Sequence, residues 1–182
     1  MIAGLKQANV ELDPRRLIWL GGTSFPVRVC VRTANAPVRT PADLFTQELI
    51  VAGASASSAL TILPTVLNQV LGTRMRIVVG YKGATDAVLA MERGEVQGAC
   101  ASYGQFRVYE QLFRDGKLAF LLRAEEEAIA DLPDVPSIFD YAKTSEQKDL
   151  MRFVFGSSAF GRPYAFPPDV PKERVEIMRK AF

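Results

Sequence analysis

Histidine is missing from all 182 residues of the chain, and several chemistries go with it. Without imidazole there is no Ser-His-Asp or Cys-His nucleophile arrangement and no His-based metal site. Cysteine is scarce: Cys30 and Cys100 stand far apart, with no CxxC spacing for zinc or a redox pair. Each lies in an apolar, strand-like run, VRVCVR or GACAS, so the expectation is a buried thiol. A bridge between them requires that the two strands be neighbours. No apolar run approaches the roughly 18–20 residues of a transmembrane helix. The opening MIAGLKQANVELDPRR lacks the long apolar segment and cleavage site of an export signal, which fits a cytoplasmic protein or a chain whose start has been removed. Lys and Arg total 22 against 20 Asp and Glu, a net charge of +2 with no basic block, so nucleic acid is not an expected partner. The glycine-containing segments GATDAV and GKLAFL match neither a Walker loop nor a dinucleotide fingerprint. These absences favour binding over catalysis.

What is present is a core and an alternating pattern. With 48% hydrophobic side chains, the chain can bury the interior of one domain, or of one domain with an added piece. Leu17–Leu20 and Val27–Arg32 read as strands around a GGTS turn, with Val27, Val29 and Val31 alternating against Arg28, Cys30 and Arg32. Thr40 caps a helix that opens with Pro41. Strands at Leu49–Ala52, Met75–Val79, Val96–Ala101 and Leu118–Leu122 alternate with helices at Ala59–Leu71, Thr85–Arg93 and Phe106–Arg114. Gly72 and Gly94 end the first two helices. This alternation predicts an α/β fold, a mainly parallel sheet with helices on its faces. Beyond Leu122 come the charged Ala124–Ala130, the LPDVPSIFDYA segment, a helix from Ser145, a broken strand over Gly156–Phe166, and a last helix opened by Pro171 with Val175, Met178 and Phe182 inward.

The stretch LIVAGASASS, residues 49–58, is the most informative. An apolar strand stops at Gly53 and opens into Ala54, Ser55, Ala56, Ser57 and Ser58 before a helix. The first amides of a helix lack internal partners and sit at the positive end of its dipole, so small residues and hydroxyls there suit a carboxylate or similar anion. The same residues also make a tight turn with an N-cap. In parallel sheets, ligands sit at the carboxyl ends of strands. Two more loops of this kind follow: Gly80–Thr85, with Tyr81, Lys82 and Gly83, and Ser102–Gln105, with Tyr103. The tyrosines offer walls for a small-molecule cleft, or rims packed on their own loops, and Lys82 a charge. An enzyme reading would draw on Glu92, Glu95, Lys82 or Tyr103. The glutamates fit better a solvated helix end beside Arg93.

The order WLGG (19–22), VAGASASSA (51–59), LGTRMRIVVGYKGATDAVLAMERGEVQG (71–98), LPDVPS (132–137), GRPYAFPPDVP (161–171) and RKAF (179–182) resembles the substrate-binding proteins of tripartite tricarboxylate transporters, the Bug-type periplasmic solute-binding receptors. The resemblance implies a periplasmic-binding-protein-like fold in which residues 17–122 are the second lobe, 123–144 a connection and 145–182 the C-terminal part of an incomplete first lobe. It implies a periplasmic receptor, not an enzyme, that takes a small carboxylate and passes it to membrane permease subunits. Mapped onto this chain, its ligand loops fall on Gly53–Ser58, Gly80–Gly83, Ser102 and Tyr103, with no metal or cofactor. The family pattern places an export signal and further first-lobe sequence ahead of these residues, so the chain reads as truncated. Segment 145–182 is then expected to expose apolar faces around Phe153, Phe155 and Phe160 or to cover them in a homodimer. The alternative is a stand-alone lobe acting as an interaction or sensing module, or a non-functional remnant.

Overall fold

The computed structural model describes residues 13–22, 27–156 and 163–182. The chain divides into two units: Pro26–Phe155, and Met1–Phe25 with Gly156–Phe182.

The larger unit is built on a five-stranded sheet: β2 (Arg28–Thr33), β3 (Leu49–Gly53), β4 (Met75–Val79), β5 (Gly98–Ser102) and β6 (Leu118–Arg123), in the order β4-β3-β5-β2-β6. β3 runs parallel to β4 and β5, whereas β2 runs antiparallel to β5 and β6. Helix α1 (Ala59–Leu71) connects β3 to β4 and α2 (Ala84–Glu92) connects β4 to β5. Two short helices, α3 (Tyr103–Arg107) and α4 (Glu110–Arg114), then lead to β6, and α5 (Ser145–Phe155) closes the unit. Period-2 alternation sends side chains to the two faces. Cys30, Val51, Cys100 and Leu122 join Leu63 and Leu67 of α1 and Met151 and Phe155 of α5 in one buried cluster. Val29, Val31, Ala52, Ala99 and Ala101 join Ala87, Val88 and Met91 of α2 and Phe106 of α3 in the other. The result is a three-layer α/β/α arrangement.

Local chemistry sets the boundaries. Ser58 Oγ accepts the Leu60 N–H at 3.3 Å to start α1, and Gly72, at φ 78°, ends it in the left-handed conformation that glycine reaches without penalty. The helix expected after Thr40 is a single 3-10 turn, Pro41–Phe45. Asp43 accepts the N–H groups of Arg39 at 2.9 Å and Thr40 at 2.8 Å there, which holds its carboxyl below the ordinary range. The helix expected over Phe106–Arg114 breaks at Tyr109 (φ −106°, ψ 27°), so that Tyr109 and Phe113 turn toward the core and Val108 is left 76% exposed.

Two expectations are corrected, and a third element finds a partner distant in sequence. Cys30 and Cys100 are not free thiols: they are direct register partners on β2 and β5, Cα atoms 4.0 Å apart, and form a disulfide. The strand at Leu17–Leu20 does not pair with β2. As β1 (Ile18–Gly22) it pairs antiparallel with β7 (Pro163–Phe166) in the smaller unit. Phe155 is not exposed. It is buried in the larger unit with Met151, and Phe153 alone of that pair of rings stands out, at 77% exposure. Phe160, and most of the broken strand expected over 156–166, lie outside the described residues.

In the smaller unit, helix α6 (Lys172–Ala181) lies against β1. Val175 is buried, while Met178 and Phe182, both expected inward, are 41% and 49% exposed. The Phe182 ring packs on Tyr164, and it occupies the space a side chain at position 21 would need, which explains Gly21.

Candidate functional site

Because β3 lies between β4 and β5 and runs parallel to both, the chain leaves all three strands at one edge of the sheet. The loops read from the sequence therefore come together there. At Gly53 a Cβ would sit 2.5 Å from Ile77 Cγ2 and 3.3 Å from Thr61 Oγ1, so the turn out of β3 requires glycine. Thr61 Oγ1 accepts the Ala54 N–H at 3.0 Å, and the Tyr81 N–H donates to the Gly53 carbonyl at 3.2 Å, fastening the second loop to the first. The Ser58 N–H closes a turn onto the Ser55 carbonyl at 2.9 Å, and the Ser55 and Ser57 hydroxyls stand 3.4 Å apart. Among the described residues, the N–H groups of Ser55, Ala56, Ser57 and Ala59 meet no acceptor. Ser55, Ala56 and Ser57 are exposed. A loop whose own bonds fix its shape thus carries N–H groups without an acceptor on exposed residues.

In the second loop Gly80 takes φ 125°, a conformation side chains resist. The Lys82 N–H donates to Asp86 Oδ2 at 3.1 Å at the start of α2. In the third, Gln105 Oε1 accepts both the N–H of Ser102 at 3.3 Å and its hydroxyl at 3.0 Å, and the Tyr103 N–H donates to the Val27 carbonyl at 2.7 Å.

A cavity of about 520 Å³ lies between the second and third loops, lined by Lys82, Gly83, Thr85, Asp86, Gly104 and Gln105 among others. It gathers Lys82 and Gly83 of the expected site residues. The Gly53–Ser58 loop shares the sheet edge without lining it. Neither tyrosine lines this cavity. Tyr81 packs on the α2-side core, where burial first and then Glu95 raise its phenol above the ordinary value. The Tyr103 ring lies 5.7 Å from Phe120, itself stacked on Phe113, beside a second cavity of about 230 Å³. Sequence reasoning missed Gln105 and Asp86 as loop organisers, although Ser102-x-x-Gln105 is a capping pattern that could have found the first.

The same edge holds the start of β2 and the end of β6. Arg123 is buried, and its guanidinium donates to the carbonyls of Val135 at 2.9 Å, Glu127 at 2.6 Å and Glu125. It thereby folds the 124–137 segment back on the sheet. Glu125 accepts the Arg28 N–H at 3.0 Å, and its carboxyl is raised by burial against the opposing pull of that bond and of the Arg28 and Arg123 charges. Neither Glu92 nor Glu95 lines the 520 Å³ cavity. Glu95 pairs with Arg93 at 3.8 Å on the surface. The edge thus carries amide and hydroxyl donors and one lysine, Lys82, a set whose chemistry suits an anion.

No protein-family model and no curated protein matches the sequence. Solved structures do match. A TctC solute-binding protein from Polaromonas superposes with a TM-score of 0.65 at 16% identity, over 94% of this chain and 56% of that one. The fold is that of the solute-binding proteins. The MatC protein of Rhodopseudomonas palustris, solved with malate bound, gives a TM-score of 0.59 at 17% identity, over 99% of this chain and 58% of its own. A second R. palustris protein, solved with adipate, gives 0.59 at 15% identity over 93% of this chain and 68% of its own. The solute-binding fold therefore extends over nearly the whole chain, which spans a little over half the length of the first two neighbours. The Polaromonas neighbour is a solute-binding protein and a further one is the periplasmic binding protein BugD, the kind of protein that the residue pattern resembles.

Proposed function

We propose that the chain is part of a periplasmic receptor of the tripartite tricarboxylate type and that the larger unit supplies a wall of its carboxylate site. The observation that carries this reading is that three strand-end loops share one sheet edge, the first with exposed N–H groups at Ser55, Ala56 and Ser57 that meet no acceptor, the second and third with a cavity between them at Lys82, Gly83 and Gly104. Backbone donors of this kind recognise carboxylate oxygens without a metal or cofactor. Two neighbours hold dicarboxylates, malate and adipate, which makes a small dicarboxylate the first ligand class to try. A buried Cys30–Cys100 disulfide belongs with an oxidising compartment such as the bacterial periplasm, and one neighbour is a periplasmic binding protein. Delivery to membrane permease subunits follows from the same reading.

Thermal unfolding in the presence of malate, adipate, citrate and an aromatic acid tests it. A ligand of the folded form raises the midpoint by mass action, by about 2.7 kcal/mol of stability at a hundredfold excess over Kd. At least one carboxylate raises the midpoint in a concentration-dependent way, and neutral analogues of the same size do not. A flat response to the whole panel would remove the receptor reading.

A further inference from the structure

The larger unit begins at Pro26 and ends at Phe155, and one side chain close to its start, that of Arg28, meets its last residue. Arg28 opens β2. Its N–H donates to the Glu125 carboxylate at 3.0 Å and its carbonyl accepts the Ala124 N–H at 2.8 Å. Its guanidinium carbon stands 5.9 Å from the centre of the Phe155 ring, and Nη1 donates to the Phe155 carbonyl at 3.4 Å. Phe155 is the last residue of α5, and its ring is buried in the core. On its other side, Arg28 is the register partner of Ser102, the first residue of the third loop.

Half-burying a guanidinium is costly, and burial lowers the affinity of Arg28 for its proton against the opposing charge of Glu125. An unbranched apolar side chain of similar length would cover Phe155 without that penalty, and buried charges are often dispensable for stability. What an apolar residue cannot do is hold the Phe155 carbonyl and the ring face in one fixed orientation.

We propose that Arg28 is a positioning residue that locks the start of β2 to the end of α5, so that the two ends of the larger unit are held relative to each other and to the Ser102 loop. The consequence for ligand binding rests on the solute-binding reading; the lock itself does not.

Amide hydrogen exchange on the ligand-free chain tests the lock with Arg28→Met, Arg28→Lys and Arg28→Ala. In Arg28→Met the thermal midpoint stays near that of the parent, while the amides in the last turn of α5 and at the start of β2 exchange about tenfold faster, the size a cation–π contact and one hydrogen bond imply. Arg28→Lys, which keeps the charge but not the planar fork, falls between. Unchanged exchange at the end of α5 in both Arg28→Met and Arg28→Ala overturns the proposal, as does an increase of equal size at Val51 and Ala52 in the core. With malate and adipate as probes, Arg28→Met speeds dissociation of whichever binds the parent chain. If neither binds the parent, the receptor reading fails while the exchange data still decide the lock.

Discussion

Replacing Cys30 and Cys100 together by alanine removes a cross-link between two strands that are adjacent in space and 70 residues apart in sequence. In the unfolded chain that bond closes a long loop, and the lost loop entropy corresponds to about 4 kcal/mol. Set against the roughly 5–15 kcal/mol of a typical domain, this is a large share. Both sulfurs are fully buried in the core beside Val51 and Leu122, so their removal also leaves a small void that adds to the loss. Each kcal/mol moves the midpoint of a chain of this size by about 2–4 °C, so the double variant melts about 10 °C below the parent. Circular dichroism melts of parent and variant, without reductant, read this directly. A thiol titration in denaturant gives the companion result: no free thiol in the oxidised parent and two after reduction. A variant melting within about 2 °C of the parent, less than 1 kcal/mol, would refute the reasoning.

Further outcomes follow from single side chains. Gly53→Ala forces a methyl to within 2.5 Å of Ile77 Cγ2, a branched side chain with little room to yield, and costs about 1–3 kcal/mol in urea unfolding; Gly104→Ala, where nothing lies within 4 Å of the new Cβ, is neutral or slightly stabilising. A large loss at Gly104, or none at Gly53, contradicts the loop geometry. Glu125 titrates above its ordinary 4.5 because burial outweighs Arg28 and Arg123, so the folded protein keeps this proton to higher pH than the unfolded chain does. Its contribution to stability is therefore full below 4.5 and declines as pH rises through the raised folded value; Glu125→Gln flattens that part of a urea-midpoint profile taken over roughly pH 4 to 7, and an identical slope in parent and variant counts against the assignment.

The parts legible in the sequence are those written locally. Ser58 and Gly72 bracket α1 because a side-chain cap and a left-handed glycine act within one turn of where they stand. Strand-to-helix alternation carried the three loops to one sheet edge, since parallel neighbours must leave the sheet on the same side. What was hidden depends on partners distant in sequence. The GGTS turn between two apolar runs looks like a hairpin, yet β1 finds β7 near the far end of the chain. Whether Cys30 and Cys100 meet depends on β2 inserting between β5 and β6, a choice of sheet order that neither cysteine's surroundings record. Alternation put Arg28 on the Cys30 face of β2, but its meaning comes from Phe155, 127 residues on. Tyr81 and Tyr103 left two readings open, cleft wall or packed rim; both rings pack against the core, and that of Tyr103 also lines the 230 Å³ cavity.

The most direct test of the account is an amide-resolved NMR titration of the chain with malate and adipate. Saturable shifts are expected on the N–H groups of Ser55, Ala56, Ser57, Gly83, Ala84 and Gly104, with the β6 amides of Phe120 and Leu121 unmoved. Saturable shifts clustered instead around Phe113 and Phe120, or no shift at any amide at saturating carboxylate, would contradict the account.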